Sequence, residues 1–172
     1  DPRVSQSLAR PWIRITLDGY TPPPGTNAYF SLWNTTSGSP PTVWMSTFES
    51  GTVNQYYYAE GSHNHMNWGF SALGIHRVRL KASAFAGPGA TNPTGFSAVH
   101  TLTFAIGPFA QWQATHFTNT ELDDLSVCGP DADPDQDGMK NLVEFGFGFD
   151  PRSGAATPVF EGLGLPKMSL AE

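Results

Sequence analysis

Apolar and polar residues alternate with period two through most of the first hundred positions. Trp12–Leu17, Ala28–Trp33, Thr42–Phe48, Thr52–Tyr58, His63–Phe70, Ile75–Ala82 and Ala98–Ile106 each read as a short strand, because side chains two apart on extended backbone share a face. Between them lie Thr21-Pro-Pro-Pro-Gly25, Ser37-Gly-Ser-Pro-Pro41 and Gly87-Pro-Gly-Ala-Thr-Asn-Pro-Thr-Gly95. Their Gly and Pro residues fix turns and cannot continue a hydrogen-bonded ladder.

Strands at this spacing, with no βαβ pattern among them, predict a mostly β chain folded as an antiparallel sandwich of immunoglobulin-like or jelly-roll type. Alternation assigns the faces. Ile13, Ile15 and Leu17 oppose Trp12, Arg14 and Thr16; His76, Val78, Leu80 and Ala82 oppose Ile75, Arg77, Arg79 and Lys81; Ala98, His100, Leu102, Phe104 and Ile106 share one side. His76 and His100 are thereby expected on core-facing rows.

The period changes beyond Phe117. Thr118-Asn-Thr-Glu121 has the form of a capping box leading into a short helix through Leu122 and Leu125, since a Thr and a Glu three residues apart can exchange hydrogen bonds with each other's backbone. A second short helix is expected over Lys140–Phe147, with Leu142, Val143 and Phe145 at helical spacing, closed by Gly146 and Gly148. A boundary near Gly107 to Trp112 divides the chain into a β-domain, residues 1–108, and a small α/loop appendage, residues 109–172.

Composition narrows the function classes. Nine Lys and Arg against 15 Asp and Glu give a net charge of −6, and no basic run interleaves with aromatics, which argues against a nucleic-acid partner. Much of the acidity is local, in Asp123, Asp124, Asp131, Asp133, Asp135 and Asp137, so it points to a cation. Cys128 is the only cysteine, which rules out an intramolecular disulfide and leaves a buried small hydrophobe as its expected role. No apolar run is long enough to span a membrane. The chain begins at Asp1 and stops at Leu170-Ala-Glu172 in mid-pattern, as expected of a processed product or a piece of a longer protein.

The most specific motif is Asp133-Pro-Asp-Gln-Asp-Gly-Met-Lys-Asn-Leu-Val-Glu144. Ca²⁺ takes six to eight oxygens, and a twelve-residue loop supplies them from carboxylates at positions one, three, five and twelve. Asp133, Asp135 and Asp137 occupy the first three, Gly138 the sharp turn, Met139 offers a backbone carbonyl, Asn141 sits at position nine and Glu144 supplies the bidentate carboxylate. With Gly129-Pro-Asp-Ala132 before it and Asp150-Pro-Arg152 after it, the loop resembles the dockerin-like and thrombospondin type 3-like calcium loops of secreted bacterial proteins. The resemblance implies a structural Ca²⁺ site and an extracellular or cell-surface location.

A second informative stretch is His63-Asn-His65, where two imidazoles at i and i+2 can face one side and form half of a transition-metal site for zinc or copper. Glu60, Asn67, His76, His100 and His116 are the candidates to complete it. Ile13-Arg-Ile-Thr-Leu-Asp-Gly19, Phe30-Ser-Leu-Trp33, Met45-Ser-Thr47, His63-Asn-His-Met-Asn-Trp-Gly-Phe70 and Gly74-Ile-His-Arg-Val-Arg-Leu80 together resemble the bacterial surface domain called choice-of-anchor M, or actinobacterial cell-wall repeat, over about residues 11 to 106. The resemblance implies an exported, anchored β-domain with no established catalytic activity, and favours a transition metal at His63 and His65. His76 departs from that family's pattern, where a Tyr is usual.

The sequence thus supports a secreted or surface metal-binding module that is not expected to be an enzyme. Two alternatives stand beside it: a copper-dependent oxidase acting on extracellular polysaccharide, and a carbohydrate-binding module using Trp12, Trp33, Trp44, Tyr56, Tyr57 or Tyr58. Metal ions, and with them polysaccharide or cell-wall components, are the expected partners.

Overall fold

The computed structural model describes residues 12–52, 54–59, 61–87 and 90–154. Val53, Glu60, Pro88, Gly89 and both chain ends lie outside the described residues. The chain divides between Ile106 and Gly107 into two compact units.

The first unit is built of antiparallel strands: β1 (Trp12–Thr21), β2 (Phe30–Asn34), β3 (Thr42–Ser46), β4 (Gln55–Ala59), β5 (Asn67–Phe70), β6 (Gly74–Phe85), β7 (Gly95–Phe96) and β8 (His100–Ile106). One sheet runs β4-β1-β6, with β7 and β8 both on the free side of β6; the other runs β3-β2-β5. β1 passes from Trp12↔Phe85 to Leu17↔Leu80 against β6, then shifts register between Leu17 and Gly19. That bulge brings Tyr20 to the core in place of the next alternating residue.

The core lies between the sheets. Phe30 and Leu32 of β2 and Met45 of β3 meet Tyr56 of β4 and Val78 of β6, with Ile15, Leu17, Phe70, Leu80 and Phe104 packed around them. Aromatic rings cross the interface, Trp44 against Tyr56 at 4.9 Å and Phe70 against Phe104 at 4.9 Å between centroids. Asn54 also ties the two layers: its carbonyl accepts from the Leu17 amide and its side-chain oxygen from the Ser46 amide.

Ile15 and Leu17 of β1 and His76, Val78 and Leu80 of β6 turn inward as alternation assigns, but Ile13 of the same row is 41% exposed, and three further expectations need correction. His63 to Met66 are not strand; β5 begins only at Asn67, because Gly61 takes positive φ and the Ser62 amide closes a turn on Ala59. His100 is exposed, since the first half of β8 runs past the core and only Phe104 of that row packs against it. β4 begins at Gln55, later than Thr52.

The second unit holds α1 (Pro108–His116), a 3₁₀ turn (Glu121–Asp123), α2 (Leu125–Cys128) and α3 (Asn141–Phe147). The alternation pattern gave no sign of α1, which starts after Gly107 with Pro108 in the first helical positions, where a missing N–H costs nothing. Trp112 of α1 packs against Phe109, Phe117 and Phe145. The capping box forms: the Thr118 amide donates to Glu121 and the Glu121 amide to the Thr118 hydroxyl. It opens the 3₁₀ turn, and Asp124 then caps α2 separately through the Ser126 amide. No helix of the described residues is long and apolar enough to cross a membrane.

Candidate metal centre

α3 presents an unusual face to its interior. Leu142 and Val143 are exposed, while the polar Asn141 and Glu144 are fully buried at 0%. This reverses the expected apolar face, and the reason lies in what each buried polar group meets.

Asn141 acts as a tie. Its amide nitrogen donates to the carbonyls of Val127 at 2.9 Å and Gly129 at 2.8 Å, and Gln113 Nε2 donates to the Cys128 carbonyl at 2.7 Å. The last carbonyls of α2 have no partners within so short a helix, so these side chains satisfy them. The backbone completes the junction, with the Asn141 amide donating to Ala132 and the Leu142 amide to Pro130. Cys128 is buried in this junction, and burial raises its thiol pKa, as suits a packed side chain and not a reactive one.

The loop between these helices folds on its own carboxylates. Asp133 accepts from the Gly138 amide at 3.0 Å, Asp135 from the Asp137 amide at 3.2 Å and Asp137 from the Met139 amide at 2.7 Å. Gly138 turns the chain at φ 94°, a region that penalises a Cβ. Each of the three aspartates also brings an oxygen within 4.8 Å of the others'. Asp133 Oδ1 and Asp135 Oδ2 are buried with no hydrogen-bond partner.

Glu144 is not gathered into that group of three, but it lies within reach of their charge. Both its carboxylate oxygens are buried without a partner. Burial first, then the charges of Asp135, Asp137, Asp133 and Asp150, push its pKa up to about 7. A buried anionic oxygen with no donor is strongly unfavourable, and several together need either a proton or a cation. An all-oxygen set in a compact loop suits a hard cation. Nearby, His116 and Asp150 approach to 3.5 Å and Arg152 pairs with Glu121 at 2.6 Å. The Thr118 amide first, then Arg152 and the Thr118 hydroxyl, hold the Glu121 carboxyl down at about 2.

The histidine segment has a different character. His63 and His65 are both exposed, yet their Nε2 atoms lie 3.1 Å apart and their rings 4.7 Å apart at 64°. Between them, Asn64 donates to the Tyr56 hydroxyl at 2.6 Å, anchoring the loop to β4.

His76 and His100 are not gathered with this pair. His76 is fully buried, its Nδ1 2.7 Å from the Tyr20 hydroxyl and its Nε2 3.0 Å from the Ala72 carbonyl. The carbonyl can only accept, so Nε2 carries the proton and Tyr20 donates to Nδ1. Burial lowers the His76 pKa. Both ring nitrogens are thus committed, and His76 is a satisfied core histidine. His100 stands opposite Leu80 at the exposed end of β8, Asn67 is exposed opposite Trp33, and His116 belongs to the second unit. Among the described residues the three aspartates are the one group of at least three His, Cys, Asp or Glu ligand atoms close enough to share an ion; Glu60 lies outside those residues.

Of the aromatics considered for carbohydrate, Trp12 stacks on Phe85 at 3.7 Å, and Trp44, Tyr56 and Tyr58 belong to the core cluster. The Tyr57 hydroxyl donates to Gln55. Trp33 lines an open cavity. The interior roles of Asn141 and Gln113 leave no mark in the sequence, because a helix's orphan carbonyls meet their donors only after folding. No family model, curated protein or solved structure matches the chain.

Proposed function

We propose that this chain is a secreted or cell-surface metal-binding module whose second unit is built around Ca²⁺. Asp133, Asp135, Asp137 and a bidentate Glu144 would supply the carboxylates, with the Met139 carbonyl and the position of Asn141 completing the loop. The observation that carries this reading is Glu144, buried at 0% with both oxygens unpartnered. A single loop without a paired second one suits a structural site, and extracellular modules of this kind work at roughly 10⁻⁴ to 10⁻³ M calcium. The same reading takes the first unit as an immunoglobulin-like or jelly-roll sandwich and carries forward its resemblance to anchored bacterial surface domains.

Calorimetric titration of chelator-stripped protein tests it. One Ca²⁺ per chain should bind, Mg²⁺ should compete poorly because it demands a tighter octahedron, and Glu144→Gln should abolish the heat. Absence of calcium uptake by the unsubstituted protein would overturn the reading.

A second reading, zinc or copper at His63 and His65, is favoured by the 3.1 Å between their Nε2 atoms. Two nitrogens bound to one tetrahedral ion at about 2.0–2.1 Å lie roughly 3.3 Å apart, so the pair needs little movement to chelate. Tag-free protein should take up zinc or copper and lose that uptake in the His63→Ala, His65→Ala double variant; equal uptake by both proteins would refute it. A copper-dependent oxidase would require a third ligand that His76 and His100 do not supply.

A further inference from the structure

The outer face of the three-stranded sheet carries a feature that neither metal site uses. Phe30 and Leu32 of β2 enter the core, so alternation turns Ser31 and Trp33 outward. There, a cavity of about 430 Å³ opens between Tyr29, Ser31, Trp33, Phe48, Phe70 and Ser71. That size falls in the range of roughly 300–1,000 Å³ common to small-molecule sites.

Its floor and walls are fixed by local structure. Gly69 of β5 stands opposite Ser31, and a Cβ there would come within 2.5 Å of the Trp33 ring. Only glycine therefore lets the indole lie across the strand. On the rim, Phe48 and Tyr29 meet edge to face at 5.0 Å while remaining 68% and 41% exposed. The turn carrying Phe48 is held by its own amide donating to Ser46 Oγ and by the Thr47 amide donating to the Phe30 carbonyl. Ser71 exchanges two bonds with Tyr29: its amide donates to the Tyr29 carbonyl, and its Oγ accepts from the Tyr29 amide at 2.7 Å. Since that oxygen is accepting, the Ser71 hydroxyl proton stays available to donate.

The chemistry selects the occupant. None of the lining residues is a Lys, Arg, His, Asp or Glu, so a phosphate, uronate or ammonium group would find no counter-charge there. Flat aromatic surfaces beside hydroxyls match a ligand with one C–H face and an equatorial belt of hydroxyls. We infer that this groove is a binding subsite for an uncharged pyranose unit of a polysaccharide, with the Trp33 and Phe48 rings as stacking surfaces and Ser71 as a hydrogen-bond donor.

Affinity electrophoresis in calcium buffer tests this, using hydroxyethylcellulose, glucomannan, xylan and laminarin as neutral probes and polygalacturonate as an anionic one. At least one neutral glycan should retard the protein and perturb its tryptophan fluorescence, while polygalacturonate should not. Phe48→Ser, at a side chain that contributes little to the core, should leave the circular dichroism unchanged and weaken binding about tenfold, and Tyr29→Ser should do likewise. Migration unretarded by all four neutral glycans, or retardation that both variants leave intact, would overturn the inference. So would a concentration-dependent dimer abolished by Phe48→Ser, which would assign the groove to a second copy of the chain.

Discussion

Both units bury apolar side chains, Trp112, Phe117 and Leu122 among them in the second, but they differ in the polar groups they enclose. Among the described residues of the first, the largest fully buried side chains are Phe30, Met45 and Val78 together with the polar His76, whose two nitrogens both have partners. In the second they are Glu144, Asn141, Pro151 and Cys128, and the carboxylate oxygens of Glu144 have no partner. A hydrophobic interior is complete once its shape is filled. On the proposed reading, an interior holding converging carboxylates is complete only with a counter-charge, so the second unit's stability should be coupled to a cation and the first unit's should not.

That contrast can be broken at either end. The largest effect is expected from Phe30→Ala, which removes a wholly buried ring and should lower the stability of the β-unit by about 3–5 kcal/mol, measured by denaturant unfolding of the full chain. Calcium titration of the still-folded fraction should be unchanged. Next, Glu144→Gln keeps the shape of the helix and removes one charge. It should weaken calcium binding by more than the roughly 10- to 100-fold typical of losing a partner that merely orients a ligand, while leaving the β-unit's unfolding transition where it was.

Asn141→Ala sharpens the comparison further, because it leaves the Val127 and Gly129 carbonyls without their donor. A loss of about 1–3 kcal/mol is expected, confined to the second unit and read as faster amide exchange over α2 and α3. Acidity should then reveal the sign of Glu144. Its folded pKa lies above the ordinary 4.5, at about 7. Without calcium, the folded form therefore holds a proton that the unfolded form has lost between those values, and stability falls as pH rises from about 4.5 to 7. Calcium must displace that proton, so its affinity should drop about tenfold per pH unit below 7. In thermal scans across this window, chelated samples should lose stability as pH rises, whereas calcium-saturated samples, whose Glu144 is unprotonated both when bound and when unfolded, should be nearly flat. The smallest effect belongs to the exposed histidines: replacing His63 and His65 with Ala should change stability by less than about 0.5 kcal/mol, while removing any zinc or copper uptake.

Much of the first unit was legible because its core obeys a period of two. Ile15 with Leu17, and His76 with Val78 and Leu80, are the inward rows that alternation marks. The same rule failed where the chain stops being a strand, since His63 and His65 keep i, i+2 spacing in a loop as readily as in β5. It failed again at His100, where the sheet outruns the core. In the second unit the aspartates were readable from their offsets, and the structure gathers them. The burial of Asn141 and Glu144 in place of Leu142 and Val143 was not readable, because helical hydrophobicity identifies an inward face only when the interior is apolar. The aromatic groove draws Phe48, Trp33 and Ser71 from three separate segments, a convergence that linear spacing cannot register.

Hydrogen exchange of the intact chain, compared in millimolar calcium and in chelator, tests the division most directly. Amides from Leu125 through Phe149 should gain protection with calcium, whereas those of β2, β3 and β6 should exchange alike in both conditions. Equal protection of Leu125 through Phe149 with and without calcium, or a gain spread evenly across the strands, would contradict an ion-completed second unit beside a self-sufficient first.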